Sequence, residues 1–123
     1  FGGVVRLADY YPVMEGADNV DRLQKRVEEG YSIVVFPEGT RSADGTIKRF
    51  HKGAFFIAEK FGIPILPLIL HGTGELIRKS DFYLHDGPLT LKFLPPVAPG
   101  DTHFGTSYQE RTKSISKNFK KAY

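Results

Sequence analysis

Tyr31-Ser32-Ile33-Val34-Val35-Phe36-Pro37-Glu38-Gly39-Thr40-Arg41-Ser42 sets a short apolar, β-branched run directly against a polar, glycine-bearing loop. Residues 31–36 read as a buried strand, because β-branched and aromatic side chains fill both faces of a covered sheet. Pro37 to Gly45 reads as the loop leaving its carboxyl end. In open α/β sheets that is where ligands bind.

Upstream, Asp18 or Asn19 can cap a helix that carries Val20, Leu23 and Val27 on one face, and Gly30 ends it. Val4–Leu7 and Tyr11–Val13 are short extended candidates. Downstream, Ala54, Ile57, Ala58 and Phe61 fall at helical spacing within 52–61, with Gly62 as the stop. Ile63 to Leu70 is a second apolar strand, and Pro64 and Pro67 confine it to an edge or a bulge because neither can donate a ladder hydrogen bond. Leu89, Leu91 and Phe93 alternate with Thr90 and Lys92, the pattern of a half-buried strand. Ser107 and Glu110 then form a capping-box pair, opening a basic amphipathic helix at about 107–122. Its apolar side is Tyr108, Thr112, Ile115, Phe119 and Ala122; its other side is Arg111, Lys113, Lys117, Lys120 and Lys121. Strands alternating with helices predict an α/β fold with a largely parallel or mixed sheet flanked by helices, in a single domain over 1–123.

Composition narrows the function classes. Apolar residues are 41% and charged residues 25% of the 123, as in a folded domain. There is no cysteine, and His51, His71, His85 and His103 lack ligand spacing, so no metal site is expected. The longest apolar stretch, 61–70, falls well short of the roughly 20 residues a spanning helix needs. A net charge of +3 and a pI near 9.2 suit an acidic partner. Nucleic acid is not expected: no recognition motif is present, and the aromatics occupy core spacings rather than a stacking array.

The loop carries the chemistry. Arg41 can hold a phosphate by paired hydrogen bonds, Thr40 and Ser42 can add donors, and Gly39 lets the backbone approach a ligand. Glu38 can hold the loop, bond a ligand hydroxyl or pair with Arg41; holding the loop is the first reading. A solvated turn closed by a Glu38–Arg41 pair is the alternative that composition leaves open.

The order of these residues, Phe36-Pro37-Glu38-Gly39-Thr40-Arg41-Ser42, resembles the signature block of the glycerolipid acyltransferases, including the lysophosphatidate acyltransferases. Lys52-Gly53-Ala54 and Gly62-Ile63-Pro64-Ile65-Leu66-Pro67-Leu68 resemble later parts of the same family, so the likeness covers 30–70. It implies transfer of a fatty acyl group from acyl-CoA or acyl-carrier protein to lysophosphatidate or a related lysolipid. No cofactor is implied; the thioester is a substrate. Glu38, Gly39, Thr40, Arg41 and Ser42 would bind the acceptor, with Arg6 as the candidate for the family's earlier arginine. The setting implied is cytoplasmic, peripheral on or tethered to the inner membrane.

The family's general base is a histidine with an aspartate five residues on. Here the fifth residue after His51 is Phe56, after His71 Leu76, after His85 Thr90 and after His103 Tyr108. No histidine matches. His71, with Glu75 four residues on, lies on the wrong side of the signature block. The resemblance therefore places the base upstream of Phe1 and reads the chain as truncated at its N-terminus, leaving apolar sheet surface uncovered. A non-catalytic phosphate-lipid-binding module is the alternative. Lys48, Arg49 and Lys52 extend the positive field, or form a solvated basic face. Phe50, Phe55 and Phe56 line an acyl channel or belong to the core, and the basic helix lies on anionic lipid or docks with one face in water.

Overall fold

The computed structural model describes residues 17–40, 45–76 and 83–123. The chain divides into two units, Phe1–Val35 and Phe36–Tyr123.

In the first unit, helix α1 (Ala17–Glu28) turns Val20, Leu23 and Val27 to its half-buried side. Gly30 ends it as expected: at φ 94° it lets its own N–H reach Val27 O (2.9 Å) while Tyr31 N–H reaches Arg26 O (3.0 Å). That pair of bonds satisfies the last carbonyls of the helix. The following residues depart from expectation. Residues 31–36 pair with no strand among the described residues, and Val34 is 81% exposed. An apolar, β-branched run specifies an extended chain, and its burial requires neighbours on both faces. Val4–Leu7 and Tyr11–Val13 lie outside the described residues.

The second unit is built around Phe50, Phe55, Val97 and Ile115, with Ile47, Ala54, Ile65, Phe104, Tyr108 and Phe119 packed against them. Phe50 meets Phe119 edge to face with centroids 5.2 Å apart, a geometry that aligns ring edge with ring face. Phe50 and Phe55 are thus core, whereas Phe56 lies on the surface against Tyr108 at 5.5 Å. Helix α2 (Gly53–Phe61) stops where Gly62 adopts φ 63°, ψ 34°, with Ile63 N–H on Ala58 O.

The two prolines act on the next strand as their chemistry demands. Ile65 pairs with Val97 in an isolated antiparallel bridge. Pro67 contributes only its carbonyl, which accepts Leu94 N–H at 3.0 Å, and regular pairing begins at Leu68. Strand β1 (Leu68–His71) runs antiparallel to β2 (Thr90–Phe93), in the register Leu68 to Phe93, Ile69 to Lys92, Leu70 to Leu91 and His71 to Thr90. Among the described residues the sheet is two antiparallel strands, one pairing within the largely parallel or mixed sheet that was expected. The helix described between β1 and β2 is α3 (Thr73–Leu76). Register sets Leu68, Leu70, Leu91 and Phe93 on one face. All four residues of β2 are exposed, where alternation had predicted half-burial.

Helix α4 (Tyr108–Ala122) follows a short 3₁₀ turn at Thr102–Phe104. Ser107 caps it, accepting Glu110 N–H at 3.3 Å. The Glu110 carboxylate reaches back one residue further than a capping box would, accepting Thr106 N–H (2.8 Å) and Thr106 Oγ1–H (3.1 Å). These bonds hold its carboxyl below the usual carboxylate range. Thr112 and Ile115 are buried as expected, but Arg111, assigned by spacing to the basic outer side, is only 7% exposed. Its Nε–H donates to Gly105 O at 3.3 Å, so a turn folded back against the helix covers it. At the other end Tyr123 stacks on His71 at 4.2 Å, and Lys92 Nζ donates to Ala122 O at 3.2 Å.

Candidate functional site

The signature loop opens the second unit with a four-residue turn, Phe36 to Gly39, closed by Gly39 N–H on Phe36 O at 3.1 Å. Pro37 occupies the second position, where its fixed φ suits the bend, and Gly39 the fourth. Gly39 has φ 69°, a conformation that any residue with a Cβ enters at a cost.

Residues 46–51 form the other wall. Ile47 and Phe50 plug into the core, which fixes the backbone between and beside them. Two hydrogen bonds then tie this wall to the loop: Lys48 N–H donates to Glu38 Oε2 at 2.8 Å, and His51 N–H donates to Pro37 O at 2.7 Å. Glu38 thus ties its loop to this wall. A charged acceptor makes that bond stronger than a neutral one.

His51 is the residue that sequence reasoning passed over. A Cβ added to Gly39 would stand 3.1 Å from His51 Nε2 and 3.2 Å from Cδ2. The space that glycine opens in this loop is thus faced by an imidazole. Spacing to an aspartate five residues on does not single His51 out; the signal that could have found it is its place just before Lys52-Gly53-Ala54, where the chain returns to the loop.

Lys48, Arg49 and Lys52 are exposed beside this wall, and Thr40 is exposed at the end of the described loop. Lys52 stands at the N-cap of α2 and makes no side-chain cap. Three cations within five residues favour an anion at this wall. Arg41, Ser42 and Arg6 lie outside the described residues. His71 is away from this assembly in sequence and role, its ring engaged with Tyr123. An apolar cavity of about 290 Å³ beneath the last turns of α4 is lined by Pro67, Val97, Ile115 and Phe119, among others, and by no residue of the loop. Among the described residues no acidic or histidine cluster could hold a metal ion, and no helix is long and apolar enough to cross a membrane.

Comparison with known proteins identifies the relatives of this arrangement. The pattern of the family described as Acyltransferase matches residues 1–71. A 1-acyl-sn-glycerol-3-phosphate acyltransferase of Brassica napus, BAT2, whose name includes the word chloroplastic, is 45% identical over 96 residues, covering 77% of this chain and 28% of that protein. A protein of the same name from Limnanthes alba is 43% identical over 74 residues, covering 60% of this chain and 26% of that one. In structure the chain is similar to the 1-acyl-sn-glycerophosphate acyltransferase PlsC of Thermotoga maritima, with a TM-score of 0.74 and 34% identity, over 85% of this chain and 42% of that one. It spans little more than a quarter of the length of the plant relatives and under half of the bacterial one.

Proposed function

This chain belongs to the glycerolipid acyltransferase family, and from that premise we propose that the protein acylates lysophosphatidate or a closely related lysolipid, using acyl-CoA or acyl-carrier protein as donor. The acceptor hydroxyl oxygen attacks the thioester carbonyl carbon, the C–S bond breaks, and the thiol leaves with the proton removed from the hydroxyl. No cofactor takes part. The observation that carries this reading is the loop's clamp: Glu38 and Pro37 are each bonded to the 46–51 wall, with Gly39 and Thr40 exposed, as are Lys48, Arg49 and Lys52.

In this scheme Glu38 shapes the acceptor site, Gly39 permits the turn, and Thr40, Arg41 and Ser42 meet the acceptor phosphate, with Arg6 as a second cation. The base is assigned to none of the four histidines, because none has an aspartate at the fifth following position. The acceptor is an amphiphile held in a leaflet, so we place the protein on the cytoplasmic face of the inner membrane, bound peripherally, with the lysine side of α4 facing anionic lipid.

The test is acyl transfer to radiolabelled lysophosphatidate from each donor in turn, with Arg41→Ala as the site control. Loss of a charged hydrogen bond to phosphate should lower kcat/KM by about 2 kcal/mol or more, roughly thirty-fold. Unchanged kinetics would remove Arg41 from the site. A second reading is a module that binds the phosphate lipid without turning it over; tight lysophosphatidate binding with no product from either donor would select it.

A further inference from the structure

Gly39 is the point in the loop where a ligand could press closest to the backbone, and the His51 ring stands against it at 3.1 Å from the position a Cβ would take. That ring is held from behind. The backbone N–H of His51 is bonded to Pro37 O at 2.7 Å, and the residue before it, Phe50, is 5% exposed in the core and packed on Phe55 and Phe119. The imidazole itself is exposed, and no described residue hydrogen bonds to its ring nitrogens. A core anchor, a backbone tether and a free heteroatom edge on the loop together describe a presented group.

Its neighbours on the same segment, Lys48, Arg49 and Lys52, are cationic, and the one described carboxylate of the loop, Glu38, has an oxygen committed to Lys48 N–H. We propose that His51 is a specificity-determining contact of the acceptor site, donating a hydrogen bond from its ring to the acceptor's phosphate. The inference rests on the reading of this loop as the acceptor site. An imidazole suits that role because it keeps one N–H donor when neutral and offers two, with a positive charge, when protonated. His51 takes no proton from the acceptor hydroxyl, so its loss acts on acceptor binding and leaves the chemical step in place.

The experiment compares the wild type with His51→Ala and His51→Gln in the full chain. Steady-state kinetics should show the lysophosphatidate KM raised roughly ten-fold in His51→Ala, the size of one lost hydrogen bond to a charged group. The donor KM and kcat should stay near wild type, and His51→Gln, which retains an N–H donor, should recover part of the loss. Thermal unfolding of each variant separates a contact from a clamp: equal KM changes in variants that have also lost stability in proportion would assign His51 a structural role and overturn the proposal. A fall in kcat of a hundred-fold or more at unchanged KM would overturn it in favour of a base.

A second readout is independent of turnover: ¹⁵N-imidazole resonances of the full chain titrated with glycerol 3-phosphate and, separately, with glycerol. A shift of the His51 signals by the phosphate ester alone supports the contact, even in a protein that transfers no acyl group. Identical responses to the two compounds would sink it, whatever the activity.

Discussion

Replacing Gly39 by alanine tests the loop most directly, because two separate costs can be read from the structure. At φ 69° a residue with a Cβ lies in the left-handed region, which costs about 1–2 kcal/mol. The new Cβ also meets His51 Nε2 at 3.1 Å and Cδ2 at 3.2 Å, so the ring must yield by a few tenths of an ångström. The first cost belongs to Gly39 alone; the second vanishes if the ring is removed. A double-mutant cycle of Gly39→Ala with His51→Ala separates them, with urea unfolding at constant m-value as the assay. Gly39→Ala should lose about 1.5–3 kcal/mol, and the two changes together should lose at least about 0.5 kcal/mol less than their sum. Additivity within about 0.3 kcal/mol would refute an energetic contact between the imidazole and residue 39 and leave only the backbone cost.

Gly72 offers a harsher case, since a Cβ there would collide with the Pro88 carbonyl at φ 92°; Gly72→Ala should cost more than about 2 kcal/mol and lower the melting temperature by several degrees. Glu38→Ala removes the acceptor of Lys48 N–H and should cost about 1 kcal/mol, with faster hydrogen exchange at the Lys48 amide, whereas Glu38→Gln, which keeps an acceptor oxygen, should retain most protection. Glu110 has its carboxyl held below the usual range by its bonds to Thr106. A depressed carboxyl contributes stability that is present above the unfolded-state value and lost as pH falls through the folded one, so the start of α4 should loosen on acidification. Glu110→Gln should flatten that part of the stability profile, and an unaltered profile would refute the assignment.

Much of this was legible because it is local. Gly30 and Gly62 end their helices where expected, Ser107 caps α4, and Pro64 and Pro67 break the strand they interrupt. Each outcome depends on the backbone preferences of one residue and on partners a few positions away, so a short window holds the needed information. The signature block is of the same kind, since seven residues in order suffice to mark the family.

What escaped depended on distant segments. The run 31–36 has the composition of a buried strand, and among the described residues it pairs with none. Helical spacing put Arg111 outward, but the turn at Gly105 folds over it and accepts its Nε–H. Sequence alone thus determined the family, the helix ends and the loop's chemical inventory, all set by adjacent residues. Only the tertiary structure decided that β1 and β2 pair antiparallel and that His51 stands over Gly39, because burial and contact are properties of which remote residues a fold brings together.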